Sequence, residues 1–114
     1  VNAANFSCAL NRSFYIDLVE EDGKLEIYQR HFLDDYNHHL VTVEKESVKD
    51  LGDTLMIFQD FGKSGYLFIR IEGTHSNSQD YQYHAYLDFN LFNLPANLFP
   101  KGRLLKTFCH KIDR

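Results

Sequence analysis

The chain alternates between apolar and polar side chains over most of its length. Phe14, Ile16 and Leu18 fall on one side of an extended segment, with Ser13, Tyr15 and Asp17 on the other. That two-residue period belongs to a half-buried β-strand. The turn EEDGK leads into LEIYQRHF, and Asp22-Gly23 suits the positive φ angles of a tight hairpin. HLVTVEKE keeps the period, with Leu40, Thr42 and Glu44 opposed to Val41, Val43 and Lys45. SVKDLGD reads as a short turn or a single helical turn ending at Gly52. Then follow TLMIFQD, the turn FGKSG, YLFIRIEG, the polar loop THSNSQ and DYQYHAYLDF. In the last of these, Tyr81, Tyr83, Ala85, Leu87 and Phe89 share one face, and Gln82, His84, Tyr86 and Asp88 the other. Strands separated by regular turns predict an all-β fold, a small antiparallel β-sandwich or barrel.

One stretch breaks the pattern. NLFNLPANLFPKG, residues 90–102, holds both prolines of the chain, which excludes a regular central strand there. Its large apolar side chains are expected to cap the open end of the barrel or sandwich, with an exposed patch for a partner as the alternative.

Length and composition bound the rest. The chain has 114 residues, 44% hydrophobic and 25% charged, which fits a single folded domain over residues 1–114. The net charge of -4 and the scattered Lys and Arg leave no basic stripe, so nucleic acid is not an expected partner. A mild acidic excess favours encounter with a basic partner. No apolar run reaches the about 18 residues of a membrane-spanning helix.

The opening VNAANFSC bears on location. Val1-Asn2-Ala3 resembles the end of a signal peptide at its cleavage point. The chain has two cysteines, Cys8 and Cys109, each in a strand-like stretch, ANFSCAL and LLKTFCHKI. A disulfide between them joins the first and last strands and closes nearly the whole chain into one loop, worth about 4.7 kcal/mol in the chain-entropy model. Such a bond persists in an oxidising compartment; two buried free thiols are the other reading. An exported, periplasmic protein with its signal peptide removed is the working expectation. Asn5-Phe6-Ser7 and Asn11-Arg12-Ser13 match the glycosylation acceptor pattern, which matters only in a eukaryotic secretory pathway.

Candidate chemistry is sparse. FLDDYNHHL places Asp34, Asp35, His38 and His39 close together, residue types used for metal binding and acid–base work. Adjacent strand residues face opposite ways, however, so His38 and His39 do not readily share an ion. A polar loop is the simpler reading. The other histidines are dispersed, and no metal-site spacing, nucleophile elbow or phosphate-binding glycine loop is present. Neither an enzyme nor a cofactor is expected. DFGKSGYLF, residues 60–68, reads as a hairpin turn that carries Lys63 and Ser64 at its tip. An ammonium and a hydroxyl donor on a rigid turn suit a cleft lined by carboxylates.

A small, exported, two-cysteine β chain with Ser-Gly at a turn resembles the bacterial periplasmic lysozyme inhibitors, whose motif is Ser-Gly-x-x-Tyr. Ser64 and Gly65 match its first two positions, and Phe68 stands at the tyrosine position. The general plan also resembles periplasmic immunity proteins that protect bacteria from peptidoglycan-cutting type VI secretion effectors. The resemblance implies a toxin-neutralising or hydrolase-inhibiting protein that inserts this loop into the cleft of a cell-wall hydrolase, most plausibly a muramidase. On that reading Lys63 and Ser64 contact the catalytic carboxylates and Phe61 or Tyr66 anchors the rim. Asp34, Asp35 and Tyr36 then meet a basic surface of the enzyme. A glycan- or small-ligand-binding β module is the alternative, with Tyr81 and Tyr83 as stacking platforms. A homodimer is a further expectation, because sheet edges and the Leu-Phe loop need cover.

Overall fold

The computed structural model describes residues 5–33, 37–73 and 83–112. They form nine strands: β1 (Phe6–Ala9), β2 (Phe14–Glu21), β3 (Lys24–His31), β4 (Asn37–Val43), β5 (Val48–Asp50), β6 (Thr54–Asp60), β7 (Gly65–Gly73), β8 (Tyr83–Leu91) and β9 (Leu105–Lys111). All neighbouring pairs are antiparallel, in one sheet of order β4-β3-β2-β1-β9-β8-β7-β6-β5. The sheet curls into a nearly closed barrel. Its two free edges, β4 and β5, are consecutive in the chain and are joined through a single 3-10 turn, Lys45–Ser47. Across this seam the Glu44 N–H donates to the Gln59 side-chain oxygen at 2.7 Å.

The β2–β3 hairpin follows the expected turn chemistry. Glu21 pairs with Lys24, and the two residues between them, Asp22 (φ 51°) and Gly23 (φ 79°), take the positive φ angles whose twist matches that of the strands. Two segments depart from the alternation. Residues 48–50, expected within a turn, form the short strand β5 against β6. In β4 the register shifts between Ile27 and Tyr28 of β3, leaving Leu40 unpaired between Val41 and His39. Leu40 and Val41 therefore both pack on the core, the extra residue of a β-bulge having broken the two-residue period.

The interior is built from the alternate residues of each strand. Ile16 and Leu18 of β2, Ile27 of β3, Ile57 of β6, Leu67, Ile69 and Ile71 of β7, and Leu87 of β8 are all fully buried. Each such side chain contributes roughly 1.5–3 kcal/mol relative to exposure. One end is closed by the proline-containing loop: Leu94 and Phe99 turn inward, and the Phe99 ring lies 5.0 Å from that of Phe89. Phe92 of the same loop stays outside, 62% exposed.

Cys8 and Cys109 sit directly opposite one another on β1 and β9 and form a disulfide with both residues fully buried. The bond joins first and last strands 101 residues apart. Replacing both cysteines by Ala is expected to lower the unfolding free energy by about 2–4 kcal/mol. A urea melt of the double variant measures this, and an unchanged midpoint would show that strand pairing alone closes the barrel.

Candidate functional site

The turn between β6 and β7 is held from several sides. Asp60 accepts the Gly62 N–H on its carboxylate at 2.8 Å, and the Phe61 N–H donates to the Gly65 carbonyl at 2.8 Å. Residues Gly62–Ser64 form a 3-10 turn. Gly65 has φ 111°, and a Cβ at this position would overlap the Asn90 carbonyl of β8, so only glycine lets the chain pass so close. Phe61 is partly buried and packs on the core. The Ser64 carbonyl accepts the Phe92 N–H at 3.1 Å, tying the turn to the capping loop. Lys63 and Ser64 are left exposed at the tip.

Tyr66 continues from this tip onto the outer face of the barrel, where it is half-buried. Its hydroxyl donates to Asp88 Oδ2 at 2.8 Å. The hydrogen bond to the carboxylate, reinforced by its negative charge, raises the Tyr66 pKa above the ordinary tyrosine value. The other oxygen, Asp88 Oδ1, is shielded from water and has no hydrogen-bond partner among the described residues. Phe58, 55% exposed, places its ring 5.9 Å from Tyr66.

The structure thus brings Lys63, Ser64 and Tyr66 to one end of the molecule and turns Phe61 inward beneath them. Asp34, Asp35 and Tyr36 lie outside the described residues, as does Tyr81. The segments flanking the first three expose Phe32 (50%) and Leu33 (73%). Tyr83 is 8% exposed and meets Phe6 edge-on at 5.3 Å, so it is a core residue rather than a stacking platform.

His31, His39 and His84 make separate contacts. His39 Nε2 lies 2.6 Å from Glu26 Oε2, and the Thr42 hydroxyl donates to the same carboxylate oxygen at 2.8 Å and lies 3.3 Å from Nε2. Hydroxyl, imidazole and carboxylate converge here, but on a single ring nitrogen. A nucleophile relay needs the carboxylate and the hydroxyl on opposite nitrogens, so this cluster orients side chains without activating one. His31 contacts Phe14 and Phe32, and His84 contacts Phe108. Among the described residues no three or more His, Cys, Asp or Glu side chains converge on one point that would hold a metal.

A polar network absent from the sequence reading lies on the outer side of β1–β3. Asp17 (4% exposed) accepts from the Ser7 hydroxyl at 2.8 Å and from Arg30 Nε at 2.9 Å, while Arg30 also donates to the Ser7 oxygen at 3.1 Å. The Arg30 guanidinium covers the Tyr15 ring at 4.8 Å. Its hydrogen bond to Asp17 raises the Arg30 pKa against the opposing effect of burial. Asp17 and Arg30 are diagonal across the β2–β3 register, in which Tyr15 faces Arg30 and Asp17 faces Tyr28. Only that register reveals the pair.

Shallow surface depressions include two lined by described residues. One, of about 140 Å³, lies between the β2–β3 turn and β5, beside Lys24, Leu25 and Val48. The other, of about 210 Å³, runs between His84 and Tyr86 of β8 and Lys106 and Phe108 of β9. Comparison with protein-family models, with curated proteins and with solved structures finds no match to this chain.

Two outcomes test this description. Arg30→Met strands the buried Asp17 carboxylate and is expected to cost about 3 kcal/mol, read as a fall in the urea midpoint; a loss within error would show that Asp17 finds another donor. Tyr66 is expected to ionise above about 10 and to return toward that value in Asp88→Ala, followed by carbon chemical shifts of the phenol. The raised folded-state pKa adds stability that is present below about pH 10 and lost as pH rises through it.

Proposed function

We propose that this protein is a periplasmic inhibitor or immunity protein that binds a cell-wall hydrolase and blocks its active-site cleft with the β6–β7 turn. The observation that carries the reading is the turn itself: Lys63 and Ser64 project from a backbone pinned by Asp60, by the Gly65 passage beneath Asn90 and by Phe61 in the core. A preorganised loop binds without the cost of ordering it. Muramidases cut between two carboxyl groups that flank the glycosidic bond. An ammonium and a hydroxyl entering between those groups satisfy them by charge and hydrogen bonding while excluding the glycan.

The surroundings of the tip supply a rim. Phe92 is exposed beside it, with Lys101 Nζ 4.6 Å from the ring centre, and Phe58 and Tyr66 continue on the other side. Exposed aromatics around a polar point of entry are the composition of a protein-binding patch. Activity by occlusion requires no catalytic group in this chain. The buried disulfide suits an oxidising compartment, and no helix among the described residues is long and apolar enough to cross a membrane.

Lys63→Ala/Ser64→Ala removes both contacts at exposed positions. Against the muramidase that the native protein inhibits, the double variant is expected to inhibit at least tenfold more weakly, with an unchanged melting curve. An unchanged inhibition constant would remove the turn from the mechanism. Titration with peptidoglycan fragments separates the glycan-binding alternative: saturable binding of free glycan without enzyme inhibition would favour it.

A further inference from the structure

The outer face of β6–β9 carries a row of aromatic side chains. In register across the sheet, Phe58 faces Phe68, which faces Asp88, and Asp60 faces Tyr66, which faces Asn90. Tyr86 adjoins Asp88 on the same face of β8. Phe58 and Phe108 are each about half exposed, and the groove between β8 and β9 continues the surface toward Phe108.

Asp88 sits in this aromatic setting half satisfied. Tyr66 donates to Oδ2, while Oδ1 has no donor among the described residues. A carboxylate oxygen removed from water without a donor costs free energy until something supplies one. The cation in the next row, Arg70, forms an ion pair with Glu72.

We propose that the outer face of β6–β9 is a docking surface for a protein partner that places an arginine side chain on Asp88, with its guanidinium bonded to the carboxylate and lying over the Phe58 and Tyr66 rings. Arginine is the side chain that meets both demands. Its planar fork donates to a carboxylate, and its face stacks on aromatic rings, which a compact ammonium does less well. The net charge of -4 favours the approach of a basic partner. Oδ1 is shielded although Asp88 as a residue is partly exposed. Contact therefore takes a side-chain rotation, a change that interfaces commonly make on binding. The inference rests on the inhibitor reading for the nature of the partner and adds a second contact to it, beside the tip and of opposite polarity.

The test is a nuclear magnetic resonance titration of the oxidised protein with acetyl-Leu-Arg-Leu-amide and with the same peptide carrying citrulline, which keeps the shape of arginine and lacks its charge. Saturable shifts are expected at Phe58, Tyr66, Phe68 and Asp88, with the citrulline peptide binding at least about tenfold more weakly, a difference of 1.4 kcal/mol. Asp88→Asn should reduce arginine-peptide affinity to a similar degree, and Tyr66→Phe, which keeps the ring, should retain it. If Asp88→Asn loses its native spectrum, Phe58→Ala serves instead, and a weakening of about threefold is expected from the lost stacking. Equal binding of the two peptides, unchanged affinity in Asp88→Asn, or shifts confined to another face would overturn the proposal. Hydrolase inhibition is measured beside it. Arginine selectivity without inhibition leaves this site standing and removes the inhibitor reading, whereas inhibition without arginine selectivity removes this site alone.

Discussion

The structure depends on the pairing of its first strand with its last. β1 is four residues long, yet it lies between β2 and β9 and completes the wall of the barrel. Without it the sheet would end at β2 on one side and at β9 on the other, exposing two further edges and the interior that Phe6 and Cys8 now seal. Bringing such distant segments together carries a large loop-closure cost. The covalent bond between Cys8 and Cys109 meets that cost in the denatured chain, and the strand register places the two cysteines directly opposite each other. Burial of both sulfurs makes the bond part of the core as well as a clasp.

Once the wall is closed, its two sides take different work. The inner side is aliphatic, with Phe and Tyr at the ends, and accounts for stability. Two polar features of the outer side contrast in character. Around Ser7, Asp17 and Arg30 every buried polar atom finds a partner, which fits a structural brace locking β1 to β2 and β3. Around Asp88 one oxygen has none among the described residues, and the half-buried Tyr66 and Phe68 and the exposed Phe58 lie on the same face. A satisfied network holds strands together, while an unsatisfied carboxylate oxygen gains from any donor that reaches it. This contrast, together with the pinned Lys63–Ser64 turn, is what supports the proposal of a binding end at the β6–β7 tip and the adjoining face.

Much of the fold was legible because alternation is a local signal. The strand faces at Ile16 and Leu18, the Asp22-Gly23 turn and the hairpin turn that carries Lys63 all follow from neighbours in sequence. What escaped depended on register. The bulge at Leu40 exists only relative to β3, and β5 is too short to carry a period of its own. Asp17 looked like an ordinary outward-facing residue until Arg30 and Ser7 were placed beside it. In the 90–102 loop the prolines signalled irregular backbone, but nothing in the order Leu, Phe, Asn decides that Phe99 turns in and Phe92 out. The same holds for the site: Lys63 and Ser64 could be read from the turn, whereas the Tyr66–Asp88 contact joins two strands and depends on their register.

The central claim is that this barrel binds a cell-wall hydrolase through its β6–β7 end. Its most direct test is affinity capture from periplasmic and secreted bacterial extracts, with the oxidised native protein and the Lys63→Ala/Ser64→Ala variant as parallel baits and mass spectrometry as the readout. The account predicts one peptidoglycan-cleaving enzyme retained by the native bait at near-equal stoichiometry through a moderate salt wash and lost from the variant. Identical profiles from the two baits, or no such enzyme on either, would contradict it.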